Sequence, residues 1–338
     1  TSLHCLAKYS GKLGVTVFHP GSEIAAINMA VGATFSGGRA MVGTSGGGFA
    51  LMEEGFSLAG MAESPVLAVL SSRSGPSTGV PTYTEQGDLE FALAQGHGEF
   101  PRMVASPGSI EESFRLAGEM LSLCWRFQTP GILLTEKHLS ESAISAKLNP
   151  EELEEAEPVM NESGGEYLRY KLTDEGVSPL RFPPDDDLIK WNSYECDEKG
   201  LTTEEAGTIT KMHDKRVRKW EALKSVLRGM KTVDVFGDSG PVIFSYGSTA
   251  MSVREALRAG NIDATLVQPI YLEPFPAEPL EEYAGSEVIV VEQSSTGQFA
   301  RFLAEKGDIA ASEVIKRYDG RPFDPEDLAG RIKEAISR

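Results

Sequence analysis

Short apolar runs alternate with longer amphipathic ones along this chain, and that alternation narrows the possible folds more than any other feature. "RAMVG" (39–43), "PVLAVLSS" (65–72), "RMVASP" (102–107) and "GILLTE" (131–136) are mostly aliphatic and carry little charge. A strand open to water on one side alternates apolar and polar residues, whereas a near-continuous apolar run has to be covered on both faces. Between these runs, apolar residues recur at helical spacing in "EIAAINMAVGATFSG" (23–37), "FALMEEGFSLAGMAES" (49–64) and "SIEESFRLAGEMLSLCWRF" (109–127). "GVTVFH" (14–19) reads as one more strand ahead of the first of these helices. Ser109 is a natural N-cap, with Glu111 and Glu112 in the first turn where the helix dipole favours acids. The pattern predicts a parallel sheet covered by helices over residues 1–140.

Residues 141–232 have a different texture. They are acidic, rich in proline and glycine and without sustained periodicity, which predicts an irregular connection with some short strands. A helix over about 203–228 closes it, and its stretch "KMHDKRVRKWEALK" (211–224) reads as one solvated face. From 233 to 338 the alternation resumes with "GPVIFSYGS", "AMSVREALRAG", "ATLVQPIYLEPFP", "EEYAGSEVIVVEQ", "GQFARFLAEKG" and "PEDLAGRIKEAIS", a second and smaller α/β domain.

The formal charge of -18 over 338 residues argues against a nucleic-acid or anionic-membrane surface, since either needs a basic patch. No apolar run approaches the ~18 residues of a membrane span, and no cleavable signal peptide is visible. The three cysteines, Cys5, Cys124 and Cys196, lie far apart and form no C-x-x-C pair. This chain alone therefore offers neither a disulfide framework nor a metal or cluster site, a pattern expected of a cytoplasmic protein.

The run "GTSGGG" (43–48) follows an apolar strand and precedes a helix, a layout that two chemistries use. Gly43-Thr44-Ser45-Gly46-Gly47 fits G-x-S-x-G, the elbow that presents a nucleophilic serine. It also fits a glycine-rich loop that lets backbone approach a cofactor. The elbow needs an acid and then a histidine after Ser45. Of His97, His138 and His213, only His97 has a local setting suggestive of a site, and few strands precede Ser45 to build the usual sheet.

Three neighbouring features favour the cofactor loop. Glu23 opens a helix of small and apolar residues. Arg73 begins "RSGPSTGVPTYTEQGD" (73–88) directly after a strand, where an arginine is well placed to bind a carboxylate. "GHGEFPR" (96–102) brings His97 and Glu99 in a third loop, expected on the same sheet edge. Each feature also has a plain structural reading: a helix-start acid, a surface arginine, a hydrogen-bonded histidine.

With these residues in view, the sequence resembles the alpha subunit of 2-oxoacid:ferredoxin oxidoreductases. The likeness runs from "EIAAINMAVGATFSGGRAMVGTSGGG" through "GPSTGVPTYTEQGDL" to "GHGEFPRMV", and resumes at "DKRVRKWE", "VEQSSTGQFARFL" and "YDGRPFDPEDL". The "GPSTGVPTYTEQGDL" run is similar to the 2-oxoglutarate and broad 2-oxoacid branch more than to the pyruvate-only branch. The resemblance implies a thiamine diphosphate enzyme that converts a 2-oxoacid and coenzyme A to acyl-CoA, carbon dioxide and reduced ferredoxin. The first domain would be the pyrimidine-binding domain, and the last would be similar to the transketolase C-terminal domain.

By the same resemblance, Glu23 matches the glutamate that hydrogen-bonds N1′ of the aminopyrimidine. Thr44, Ser45, Gly46 and Gly47 would wrap the pyrimidine end of the cofactor, and Arg73, Ser77 and Thr78 would meet the substrate. A beta subunit would hold the diphosphate, its Mg2+ and a [4Fe-4S] cluster, in an alpha–beta heterodimer or a dimer of heterodimers. "HPGS" stands where the family usually has acidic residues before the glutamate, and the family's "YPITP" segment would lie just ahead of residue 1. The alternatives are a pyruvate or branched-chain substrate, or a non-catalytic structural subunit of such a complex.

Overall fold

A computed structural model of the chain describes residues 2–153, 157–161 and 165–338; residue 1 and the stretches 154–156 and 162–164 of the acidic connection lie outside the described residues. The first part runs α1 (Ser2–Leu13), α2 (Glu23–Phe35), β1 (Ala40–Thr44), α3 (Gly46–Leu51), α4 (Glu53–Met61), β2 (Val66–Ser72), α5 (Leu89–Ala94), β3 (Met103–Ala105), α6 (Ile110–Phe127), β4 (Gly131–Glu136) and α7 (Lys137–Glu141). After the connection come α8 (Ala206–Leu227), β5 (Val233–Phe236), β6 (Val242–Phe244), α9 (Ser248–Gly260), β7 (Thr265–Pro269) and β8 (Tyr271–Glu273). The chain closes with α10 (Ala277–Leu280), β9 (Glu287–Glu292), α11 (Gln298–Gly307), β10 (Ala310–Lys316) and α12 (Pro325–Ile336).

The parallel sheet expected from the apolar runs is present. Its order is β1-β2-β4-β3-β8, parallel except for the edge strand β8. That edge comes from late in the chain: Tyr271 and Glu273 pair antiparallel with Ala105 and Val104. A second sheet, β10-β9-β6-β7-β5, is parallel except for β5. The pleat divides each strand between two cores. In β2, Val66, Ala68 and Leu70 join Ile27, Phe49 and Phe56, while Leu67 joins Leu116, Met120 and Leu223 of α6 and α8. In β9, Val288 and Val290 enter the first of these clusters, and Ile289 and Val291 pack with Val253, Leu328 and Ile332 of α9 and α12. One apolar cluster thus spans both sheets.

Several sequence expectations need correction. "GVTVFH" is not a strand: α1 ends at Leu13, Gly14 turns the chain at φ +64°, and the Val15 N–H goes to Ser10 O (3.1 Å) instead of a ladder partner. The helix expected over 49–64 is two, broken at Met52, and the bend brings Gly55 against Ile27, whose Cγ2 lies 2.4 Å from where a Cβ at 55 would stand. In the connection, the described residues form two isolated bridges, Met160–Leu180 and Cys196–Thr202, and no strand.

The face of α8 expected to be solvated is instead buried at its centre. Lys215 Nζ lies 2.7 and 2.6 Å from the two carboxylate oxygens of buried Glu63, and Lys219 bonds the same carboxylate. Arg216 forks onto Glu195 at 3.1 and 2.6 Å. These cations face acids rather than water, which is why their density on the helix misleads.

Candidate active site

The parallel strands β1, β2 and β4 end together: Thr44 is in register with Leu70, and Ser72 with Glu136. Loops leaving these ends share one edge of the sheet, where open α/β sheets gather ligand-binding groups. Glu23 reaches that edge from the start of α2, whose N-cap Ser22 accepts the Ala25 N–H (3.2 Å). Its carboxylate is half-buried against the chain that follows β1. A Cβ on Gly48 would stand 2.8 Å from Glu23 Oε1 and 2.1 Å from Thr44 Oγ1, so only glycine lets the three meet.

Gly46 and Gly47 turn toward the loop that follows β2. A Cβ at 46 would lie 2.7 Å from Asp88 Oδ2, and one at 47 would lie 4.0 Å from the Ser77 carbonyl oxygen. Arg73 is the first residue past β2, half-buried, and its Nε is enclosed with no hydrogen-bond partner among the described residues. Asp88 accepts a 2.7 Å hydrogen bond from Ser72 Oγ. Burial raises its pKa, against the opposing pull of that bond and of the Arg73 charge. Ser77, at φ +57°, and Thr78 form the exposed tip of the same loop.

Glu23, Thr44, Ser45, Gly46, Gly47, Arg73, Ser77 and Thr78 are therefore brought to one sheet edge. His97 and Glu99 are not. Their loop precedes β3, at the opposite ends of the strands, and the His97 N–H is tied to Ser57 Oγ at 2.8 Å. Ser45 precedes α3 without a side-chain cap hydrogen bond, and among the described residues no hydrogen bond joins it to a histidine. His213 lies 3.3 Å from Glu195, and the exposed His138 is held through its backbone N–H by Thr84 Oγ1 (3.2 Å). Nothing here assembles the relay that a serine nucleophile needs.

Three polar residues of this edge went unread in the sequence. Asp88 and Gln86 sit at the end of "RSGPSTGVPTYTEQGD", where nothing local in the sequence sets them apart from ordinary loop residues. Glu136 ends "GILLTE"; it is buried, accepts the Ser248 N–H at 2.6 Å, and has its pKa pushed up to about 7 by burial against that bond. No helix among the described residues is long and apolar enough to cross a membrane.

Comparison with known proteins bears on the family of the chain. The model of the family described as pyruvate flavodoxin/ferredoxin oxidoreductase, thiamine diphosphate-binding, matches residues 2–220. The chain is 35% identical over 334 residues to 2-oxoacid:ferredoxin oxidoreductase 1, subunit alpha, of Sulfurisphaera tokodaii, covering 95% of this chain and 52% of that protein. It is 31% identical to ketoisovalerate oxidoreductase subunit VorB of Methanothermobacter thermautotrophicus, covering 98% of this chain and 88% of that one. The solved 2-oxoglutarate:ferredoxin oxidoreductase from Magnetococcus marinus, with 2-oxoglutarate, coenzyme A and succinyl-CoA bound, superposes with a TM-score of 0.89 at 32% identity, over 98% of this chain and 59% of that one. The chain spans about half the length of the first curated relatives it matches. With two α/β sheets, a loop-built edge and a family match over residues 2–220, this chain belongs to the pyruvate flavodoxin/ferredoxin oxidoreductase family, in its thiamine diphosphate-binding part.

Proposed function

We propose that this chain is the alpha-subunit portion of a 2-oxoacid:ferredoxin oxidoreductase. The enzyme oxidatively decarboxylates a 2-oxoacid, 2-oxoglutarate first, with coenzyme A, to acyl-CoA, carbon dioxide and reduced ferredoxin. The observation that carries the reading is the convergence of Glu23, the "GTSGGG" loop and Arg73 on one sheet edge. The residues fit thiamine diphosphate. At Gly48 the backbone lies closer to the Glu23 carboxylate and the Thr44 hydroxyl than any side chain would allow, and at the same sheet edge the enclosed Arg73 Nε has no partner among the described residues.

Thiamine diphosphate, when bound, supplies the nucleophile for the oxo carbon and the electron sink for loss of carbon dioxide. Glu23 would hydrogen-bond N1′ of the aminopyrimidine and hold a proton at that atom. Thr44, Ser45, Gly46 and Gly47 would line the ring with two hydroxyls and with backbone. Arg73 takes the substrate carboxylate with paired N–H donors, and the Ser77 and Thr78 hydroxyls add donors at the loop tip.

The diphosphate, its Mg2+ and a [4Fe-4S] cluster belong, in this reading, to a beta subunit, within an alpha–beta heterodimer or a dimer of heterodimers. Among the described residues no three His, Cys, Asp or Glu side chains gather as a metal site, and Cys5, Cys124 and Cys196 are all free. The same proposal divides the chain into a pyrimidine-binding domain (1–140), a connection (141–232) and a terminal α/β domain (233–338), and locates the enzyme in the cytoplasm. A branched-chain 2-oxoacid is the second substrate reading, favoured by the 31% identity to a ketoisovalerate oxidoreductase subunit.

The test is anaerobic reduction of a low-potential dye by the subunit carrying this chain, produced with its partner. It is run with 2-oxoglutarate, pyruvate or 2-oxoisovalerate, with and without coenzyme A and thiamine diphosphate. Reduction that needs acid, coenzyme A and cofactor together is expected, with 2-oxoglutarate preferred. A stable complex with a full cluster and no reduction would overturn the reading.

A further inference from the structure

Behind the candidate site, the loop after β2 is gripped by the second sheet, chiefly at Gln86. Gln86 is 3% exposed, and all four of its polar atoms are used across that boundary. Its N–H donates to Gln293 O (2.8 Å), and its carbonyl accepts from Tyr246 Oη (3.3 Å). In the side chain, Nε2 donates to Tyr246 O (2.8 Å), and Oε1 accepts from both Thr249 Oγ1 and the Gln293 N–H at 2.9 Å. Thr249 is a relay in this set, because its hydroxyl also accepts from Gln293 Nε2 at 2.9 Å. Gln298 secures the next turn, donating to Gly87 O (2.8 Å) and accepting the Glu90 N–H (3.1 Å).

Between those two anchors stands Asp88, the acid that receives Ser72 Oγ and crowds Gly46, and whose carboxylate feels the Arg73 charge. A loop of this length containing Gly75, Gly79 and Gly87 has much conformational freedom to lose. An arginine at its start can bind a planar carboxylate in register only if that freedom has been removed beforehand.

We propose that Gln86 is a positioning residue for substrate binding: the rim of the second sheet, acting through Gln86, fixes Asp88 between Gly46 and Arg73 and so sets where Arg73 presents its guanidinium. The inference rests on the reading above, in which Arg73 takes the 2-oxoacid carboxylate.

The experiment compares Gln86→Leu, Thr249→Val and Thr249→Ser in the whole enzyme with its partner subunit. It measures KM and kcat for the 2-oxoacid, and Kd for thiamine diphosphate by titration. Gln86→Leu and Thr249→Val are expected to raise KM by about tenfold or more, with kcat changed less than about threefold and cofactor Kd less than about twofold. Thr249→Ser, which keeps the hydroxyl, is expected to stay near wild type. If Gln86→Leu fails to fold, the Thr249 pair decides. An unchanged KM, a KM and a cofactor Kd that rise together, or a Thr249→Ser that behaves like Thr249→Val each overturns the inference while leaving the reading of the function standing. Absence of 2-oxoacid turnover in the wild-type enzyme overturns that reading, and this inference with it.

Discussion

At residue 48 the space a methyl group would need is already taken by Thr44 Oγ1 and Glu23, so glycine there is what lets the loop lie against the carboxylate. Glu23→Gln keeps the size of the side chain and removes its charge. Under the proposed function, turnover of the whole enzyme is expected to fall by about 10²–10³-fold with the fold intact, since a neutral amide could not hold the N1′ proton. Steady-state kinetics beside a thermal melt checks this, and near-wild-type kcat in a folded variant would remove Glu23 from its role. Arg73→Ala should instead act on binding, raising the 2-oxoacid KM by about 10²-fold while thiamine diphosphate affinity holds. Equal losses for acid and cofactor would contradict it. Glu23, Arg73 and the glycine loop were legible in the sequence because each is a short local motif at the end of a strand or the start of a helix. Asp88, Gln86 and Glu136 were not. The hydrogen-bond partner of Asp88 is 16 residues away, and those of Gln86 and Glu136 are 160 and 112 residues away.

Helix α8 shows the same limit at the scale of an element. Its existence could be read from composition, and the strands of the first sheet from their unbroken apolar runs. The direction its cations face depends on Glu63, 152 residues earlier than Lys215. Burial alone would push the Glu63 carboxyl up, but Lys215, Lys219 and Arg169 around it outweigh burial and hold it well below the usual carboxylate range. Glu63→Gln leaves two buried ammonium groups without their anion, and a loss of about 3–5 kcal/mol at pH 7 is expected. The sign with pH follows from linkage. A depressed folded pKa contributes stability that is present above the unfolded value, 4.5, and is lost as pH falls below it. The gap between wild type and variant should therefore narrow below pH 4.5. Denaturant unfolding at pH 7 and below pH 4.5 measures it, and a variant as stable as wild type at pH 7 would mean that Glu63 is not the anion of this cluster.

Across the whole molecule, the joint between the two sheets is polar where the site sits, and Glu136 is its acid. It ends β4 of the first sheet and accepts the Ser248 N–H at the start of α9 beside the second. Gly247, at φ +58°, passes so close that a Cβ there would stand 3.2 Å from both carboxylate oxygens. Among the described residues no cation is paired with Glu136. Burial raises its pKa from 4.5 to about 7, with the Ser248 hydrogen bonds opposing. Between those two values the folded chain binds the proton and the unfolded chain does not, so stability falls as pH rises from 4.5 to about 7, by roughly 3 kcal/mol at most. Glu136→Gln keeps an acceptor for Ser248 and cannot ionise. It is expected to match wild type near the low end of that range and to exceed it by about 1–3 kcal/mol at pH 8. Urea unfolding at the two pH values decides the matter, and a variant less stable than wild type at pH 8 would show that the carboxylate is held by more than Ser248. Gln86 spans the same joint through Tyr246 and Thr249, so the strength of this seam bears directly on how firmly the Arg73 loop is held. An ionised acid that weakens the seam above neutral pH would loosen the Arg73 loop along with it. The pH profile of the 2-oxoacid KM should then flatten in Glu136→Gln.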